Sequence, residues 1–171
     1  NDQLVSDIKQ LARGYHEVSG SFWDRVKSVD TVQGMGETLH HVPRDCIDDA
    51  LYINQFIVDE EGFVGRVREI ERDSVVLVDL PRESLMNQQA WGLAPRNIHQ
   101  ALALNLLMDP NVHLVSLTGP AGSGKTILAL AAAIEMTIVE RRFNKIIATR
   151  STPPLAEEHG FLPGTEEEKM D

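Results

Sequence analysis

Cysteine, long apolar runs and positive charge are all scarce in this sequence of 171 residues. The single cysteine, Cys46, excludes an internal disulfide and favours a reducing, cytoplasmic environment. The longest apolar run, residues 127–139, is too short to cross a bilayer and contains Glu135. No charged segment followed by an apolar one opens the chain. We therefore expect no export signal and no membrane partner.

The net charge of −10 argues against nonspecific coating of nucleic acid, because phosphate binding relies on Lys and Arg. The acidic excess is uneven along the chain. Residues 1–94 carry a balance of −8, whereas residues 95–171 carry only −2. A local nucleic-acid channel in the second half therefore stays compatible with the composition.

The first 49 residues give weak signals of regular structure. Helical spacing of apolar residues predicts a helix over 4–15 and a second short helical stretch over 22–26. Residues 29–49 lack a period and contain two glycines and a proline, which predicts a loop. We expect 1–49 to form a helical and loop linker.

Residues 50–90 have the texture of strands. Short β-branched runs at 50–58, 63–70 and 73–80 are separated by turn residues. This pattern predicts a small antiparallel β module, either a meander or a barrel, followed by a connection over 81–95 into the next domain.

Strict alternation in the second run would place Val64, Arg66, Arg68 and Ile70 on one face. The two arginines could contact nucleic-acid phosphates, as charges on small barrels do. A solvated strand face is the favoured interpretation.

From residue 91 onward the pattern alternates between helix and strand. An apolar helical face follows Pro95 and ends at 109–111, and strand-length apolar runs occupy 112–118 and 145–149. A long apolar helix is expected over 126–142 between them. The alternation predicts an α/β fold with a parallel sheet and a right-handed crossover.

A glycine-rich loop with the pattern G-x-x-x-x-G-K-[ST] lies between the first of these strands and the long helix. Its glycines allow backbone N–H groups to form an anion-binding nest, and the helix start adds a positive dipole. Lys125 can reach the β- and γ-phosphates, and the hydroxyl of Thr126 can bind Mg²⁺. The pattern predicts a site for ATP and Mg²⁺ that consists of Gly119, Pro120, Ala121, Gly122, Ser123, Gly124, Lys125 and Thr126.

Hydrolysis would need more than this loop. P-loop enzymes use an acidic residue at the end of a second strand to hold Mg²⁺. The run 145–149 is followed by Arg150 and Ser151, with no Asp or Glu. The chain also begins at Asn1 rather than Met, so we expect it to be part of a longer protein that supplies the missing residues.

Other candidate sites are weaker. His40, His41 and Cys46 could suggest a metal, but their spacing fits no standard zinc pattern, and a surface loop is the favoured interpretation.

Three blocks of the sequence, at 91–100, 114–126 and 160–170, resemble the PhoH family of P-loop ATPases, whose core is similar to superfamily 1 RNA/DNA helicases. The last block is the most specific, because generic P-loop proteins do not carry it. The resemblance identifies 91–171 as the N-terminal part of a PhoH-like P-loop ATPase domain. The segment before Trp91 resembles the linker of longer members, which carry an N-terminal PIN nuclease domain that is not in this chain.

The resemblance implies further site residues. Asn97 and Gln100 match an adenine-reading motif; the alternative is a polar helix face. Arg150, Phe161 and Gly164 match a segment that faces nucleic acid in helicase-like cores; the alternative is an ordinary Gly/Pro loop.

The chain departs from the family pattern at 151–152 and 156–159. The acidic residues at 157–158 weigh against contact with RNA there.

The resemblance favours an ATPase coupled to RNA or single-stranded nucleic acid, working as a homo-oligomer such as a ring. The alternatives are a P-loop kinase for a small metabolite and a nucleotide-binding switch without turnover.

Overall fold

A computed structural model describes residues 12–48 and 50–151 of the chain. Their first half forms a mixed sheet of six strands: β1 (Tyr15–Val18), β2 (Asp30–Gly34), β3 (Glu37–Pro43), β4 (Phe56–Asp59), β5 (Val64–Ile70) and β6 (Ser74–Asp79). The strand order in the sheet is β1-β4-β5-β6-β3-β2. Neighbouring strands are antiparallel except for β1 and β4, which are parallel.

The prediction of a loop over 29–49 is wrong, because β2 and β3 form a hairpin there. The turn between them has positive φ at Met35 (51°) and Gly36 (83°), the conformation of the tight turns that match the twist of a hairpin. The expected helix over 4–15 is wrong at Tyr15, which pairs with Phe56 in the β1–β4 ladder. Residues 4–11 of that prediction lie outside the described residues.

Other expectations for the first 90 residues are confirmed or refined. The short helical stretch is a 3₁₀ turn at Phe22–Arg25, and β4 to β6 form the antiparallel meander. Among the described residues no ladder joins β1 to β2, so the sheet is not a closed barrel. The segment expected to be a connection contains a short helix, α1 (Arg82–Asn87).

A β-bulge in β5 corrects the predicted alternation. The register with β6 shifts between Val67 and Glu69, so residues beyond the bulge change face. Val64 packs on the side of the sheet that faces the helices, whereas Ile70 packs with Val67 on the opposite side. The prediction that Val64 and Ile70 share a face is therefore wrong.

Two further helices follow the sheet: α2 (Ile98–Met108) and α3 (Lys125–Ile134). Both confirm expected helices, although α3 is shorter than predicted and ends in a π-helical turn at Glu135–Val139. No helix among the described residues is long and apolar enough to cross a membrane.

Helix α2 belongs to two hydrophobic cores. Ala101 and Leu102 pack with Phe56 and Val64 of the sheet. Leu104 packs with Leu128 and other residues of α3. The helix therefore packs both on the sheet and on the segment that carries the glycine-rich loop, across the predicted division at residues 90 and 91.

The parallel sheet predicted for 91–171 is not formed in the described part of the chain. Residues 112–118 and 145–149 have no regular secondary structure there and pair with no strand. Leu114 and Ile147 remain 85% and 74% exposed. The predicted strands are therefore not formed in the described residues. The two runs flank α3 and could form at most one parallel pair, whereas parallel sheets contain more strands and are covered on both faces.

Candidate nucleotide-binding site

The glycine-rich loop ends where α3 begins, at Lys125. Gly124 is the residue before the helix and adopts a left-handed conformation, with φ of 85°. Gly122 is also left-handed, with φ of 79°. No side chain caps α3, so the N–H groups of its first turn have no side-chain acceptor. Together with the helix dipole, these groups form a site that favours an anion such as phosphate.

The ammonium group of Lys125 lies against the inside of this loop. Its Nζ donates hydrogen bonds to the carbonyl oxygens of Gly119 and Pro120, both at 2.6 Å, and to Oγ of Ser123 at 3.1 Å. Oγ of Ser123 in turn donates to the Pro120 oxygen at 2.8 Å. The positive charge is thereby held next to the anion-binding N–H groups, where a phosphate would need it.

Thr126 is exposed in the first turn of α3 and lines the adjacent cavity. A hydroxyl at this position suits Mg²⁺, which prefers oxygen ligands and keeps several waters. Within 12–48 and 50–151 there is no group of three or more His, Cys, Asp or Glu side chains that could hold a metal. The role of Thr126 as a Mg²⁺ ligand stays a prediction.

An open cavity of about 580 Å³ lies beside the loop. Its walls come from the segment before α2, from Gln100 of α2, from the loop and from the first turn of α3. Its volume falls within the range of small-molecule and cofactor sites. The lining residues are Leu93, Ala94, Arg96, Gln100, Ala121, Gly122, Gly124, Lys125, Thr126, Ile127 and Leu128.

Asn97 and Gln100 lie close to the loop, but their polar atoms contact the protein backbone. Oδ1 of Asn97 accepts a hydrogen bond from the Gln100 N–H at 2.9 Å and so caps α2. Oε1 of Gln100 accepts from the Arg96 N–H at 2.8 Å, and its Nε2 donates to the Ser123 carbonyl oxygen at 3.0 Å. Their predicted contact with adenine is not part of this geometry and stays a prediction.

The residues proposed to face nucleic acid are not brought to this site. Arg150 is exposed in a stretch without regular secondary structure. Phe161 and Gly164 lie outside the described residues.

The prediction that His40, His41 and Cys46 lie in a surface loop is wrong. His40 is buried in β3, where its Nδ1 contacts Oγ1 of Thr31 at 2.9 Å and its Nε2 contacts Oδ2 of Asp79 at 2.8 Å. Cys46 is also buried, and burial raises the pKa of its thiol. Both residues support the sheet rather than a metal site.

Sequence reasoning missed the ion pair that joins the sheet to α2. Arg66 of β5 donates to Oδ2 of Asp109 at 2.8 Å and to Oδ1 of Asn105 at 3.1 Å. It also contacts Oδ1 of Asn54. Arg68 instead forms a two-bonded pair with the carboxylate of Glu37. Arg66 therefore does not lie on a solvated strand face, since its side chain is only 14% exposed.

The family model described as "PhoH-like protein" matches residues 92–171. The chain belongs to the PhoH family. "Protein PhoH2" of Bacillus subtilis is 34% identical over 170 residues, which are 99% of this chain and 35% of that protein. "Protein PhoH2" of Thermobispora bispora is 44% identical over 85 residues, or 49% of this chain and 20% of that protein.

A third relative, the "PhoH-like protein" of Mycobacterium tuberculosis, is 30% identical over 158 residues, covering 86% of this chain and 44% of that protein. The matched part of the chain thus spans between 20% and 44% of the length of these three PhoH relatives. No solved structure matches it.

Proposed function

We propose that this PhoH-family chain binds ATP with Mg²⁺ and forms the phosphate-binding part of an ATPase coupled to RNA or single-stranded nucleic acid. Lys125 would contact the β- and γ-phosphates, and Thr126 would bind Mg²⁺ through its hydroxyl. The remaining loop residues, Gly119 to Gly124, would cradle the phosphates with their N–H groups.

The observation that carries this proposal is the loop itself. A lysine ammonium lies within 2.6 Å of two loop carbonyls, directly beside the uncapped N-terminus of α3. Three independent features favour phosphate there: the positive charge, the free helix N–H groups and the left-handed glycines. The neighbouring cavity of about 580 Å³ offers room for the remainder of a nucleotide.

Coupling to nucleic acid rests on the family and on the second half of the chain. The balance of charge there is close to neutral, and Arg150 is exposed. Arg150, Phe161 and Gly164 are the proposed nucleic-acid contacts. Because many ATPases of this class complete their site with an arginine from a neighbour, we propose a cytoplasmic homo-oligomer, for example a ring.

ATP hydrolysis by the complete protein tests this proposal. The rate is measured with and without single-stranded RNA for the wild type, for Lys125→Ala and for Lys27→Ala. Lys27 pairs with Asp45 at the protein surface, away from the loop, with its side chain 77% exposed, and serves as the matched control.

We expect RNA to stimulate hydrolysis in the wild type and in Lys27→Ala, and Lys125→Ala to lose activity at least about a hundredfold, because it loses charged hydrogen bonds to phosphate. ATP binding without turnover would instead favour a nucleotide switch. Transfer of phosphate to a small metabolite would favour a kinase.

A further inference from the structure

Among the described residues, Gln100 is the only residue of α2 whose side chain is hydrogen-bonded to the backbone of the glycine-rich loop. Its Nε2 donates to the Ser123 carbonyl oxygen at 3.0 Å, and its Oε1 accepts from the Arg96 N–H at 2.8 Å. One amide group therefore links the loop to the segment that precedes α2. Both partners are backbone atoms, so the contact constrains backbone geometry directly.

The side chain of Gln100 also packs tightly against the backbone of the loop. A Cβ atom added to Gly124 would lie 3.0 Å from Nε2 of Gln100. Gly124 also needs the left-handed conformation, with φ of 85°. The loop backbone and the Gln100 amide are thus in contact at the residue from which α3 begins.

Helix α2 holds Gln100 firmly in this place. Oδ1 of Asn97 accepts from the Gln100 N–H at 2.9 Å, which fixes the first turn of the helix. Ala101, the next residue, is fully buried in the core shared with the sheet. The amide therefore projects from an element that the sheet supports, rather than from a flexible segment.

A side chain that reads adenine uses its amide oxygen and one N–H together on the edge of the base. In Gln100 the oxygen and one N–H already bind backbone atoms of the protein itself. The oxygen and the nitrogen that a bidentate contact with adenine would use are therefore already bound to the backbone of Arg96 and Ser123 in this arrangement.

We infer that Gln100 is a positioning residue for the phosphates of the nucleotide: it holds the backbone of the loop at Ser123 and Gly124 in the shape that binds them. This inference rests on the proposed nucleotide site. Under this inference Gln100 increases the affinity for phosphate whatever the base of the nucleotide, and Asn97 supports Gln100 by capping α2.

Binding of ATP and of inorganic tripolyphosphate, each with Mg²⁺, separates the two roles. Dissociation constants are measured by calorimetry for the complete protein as wild type, Gln100→Met and Gln100→Ala. The methionine keeps the length and approximate volume of the side chain and removes only its hydrogen bonds. Gln33→Ala, an exposed position in β2, is the matched control. Thermal unfolding without ligand reports whether each variant keeps its fold.

We expect both Gln100 variants to weaken the binding of ATP and of tripolyphosphate by the same factor, about tenfold, which corresponds to the loss of neutral hydrogen bonds. Gln33→Ala should change neither affinity. The ratio of the two affinities should stay within about twofold of the wild-type ratio. A merely structural role would lower the unfolding temperature without this parallel loss of phosphate affinity.

Three results would overturn the inference. In the first, ATP affinity falls while tripolyphosphate affinity stays, which would make Gln100 a reader of adenine. In the second, neither affinity changes. In the third, the wild type binds ATP but not tripolyphosphate, so that the loop does not bind phosphate on its own. A wild type that binds neither ligand would instead remove the proposed function itself.

Discussion

The sheet and the segment around the glycine-rich loop differ in how completely they are paired. All six strands over 15–79 have ladder partners within the described residues, and central side chains of β4, β5 and β6, such as Leu77, are fully buried. Residues 112–118 and 145–149 have no ladder, and apolar side chains such as Leu114 are exposed. Similar apolar runs therefore form paired strands in the sheet and remain unpaired around the glycine-rich loop.

The difference follows from connectivity. Antiparallel strands find partners through short turns, as β2 does with β3 and β4 with β5. The two apolar runs at 112–118 and 145–149 flank α3, so they could form at most one parallel pair, whereas parallel sheets contain more strands and are covered on both faces. The site nevertheless has a defined shape, because α3 packs on α2, and α2 packs on the sheet. The sheet thus supplies the support that the loop segment lacks.

The largest expected effect compares one substitution in the two regions. Leu77→Ala removes a fully buried side chain from β6, so we expect the free energy of unfolding to fall by about 2–5 kcal/mol. Leu114→Ala removes a side chain that is 85% exposed and should cost less than about 0.5 kcal/mol. Urea unfolding of the two variants measures both values. Equal losses would show that Leu114 is buried in solution and would break the comparison.

The second prediction compares two glycines with positive φ. Gly124→Ala and Gly62→Ala both force alanine into a conformation that costs about 1–2 kcal/mol. Only at Gly124 would the new Cβ also meet a neighbour, Nε2 of Gln100 at 3.0 Å, whereas Gly62 has open space. We expect ATP affinity to fall at least about tenfold in Gly124→Ala.

Gly62→Ala should leave ATP affinity unchanged and lower only the urea midpoint. If the Gly124 variant bound ATP as tightly as the wild type, the loop would not depend on this conformation. A double variant with Gln100→Ala should lose less than the product of the two single effects, because the two residues are in contact.

The sequence predicted the local parts of the site and missed its tertiary contacts. The pattern at 119–126 predicted both the loop and the helix that starts at Lys125, since glycine conformation and helix initiation are decided by neighbouring residues. The family pattern predicted that Asn97 contacts adenine. Its observed role is to cap the N-terminus of α2, which is predictable from residue type alone.

The misses have physical causes. The β2–β3 hairpin was missed because its turn places Met35, not Asn or Asp, in a left-handed conformation. The face of Ile70 was missed because a bulge carries no strong sequence signal. The link from Arg66 to Asp109 joins residues 43 positions apart, and no local pattern predicts such a pair.

The third prediction concerns that link. Arg66→Ala leaves the carboxylate of Asp109, whose side chain is 22% exposed, without its cationic partner, so we expect a loss of about 1–3 kcal/mol in unfolding free energy. Arg68→Ala removes a pair in which both side chains are more than 40% exposed, and should cost at most about 1 kcal/mol. Urea unfolding again measures both. A loss at Arg68 as large as at Arg66 would contradict the special role of the link between the sheet and α2.

The smallest expected effect is a pH dependence at the same link. Burial by itself would raise the pKa of Asp109, but hydrogen bonds from the Asn111 N–H and from Arg66 outweigh it and lower the pKa below its usual value. The carboxylate therefore stabilises the fold fully above the unfolded pKa of about 3.9, and this contribution is lost as the pH falls through the lower folded pKa. Urea midpoints between about pH 5 and 3 should depend less on pH in Asp109→Asn than in the wild type.

Asp45 provides the contrast for this measurement, because its pKa is also lowered, by a hydrogen bond from Lys27 at the exposed surface of the protein. Salt screens an exposed pair far more than a partly buried one. We expect the pH effect of Asp45→Asn to disappear in concentrated sodium chloride, while that of Asp109→Asn persists. If salt removed both effects equally, Asp109 would be as solvated as Asp45. The connection of the sheet to the nucleotide site would then depend on the apolar packing of α2 rather than on this ion pair.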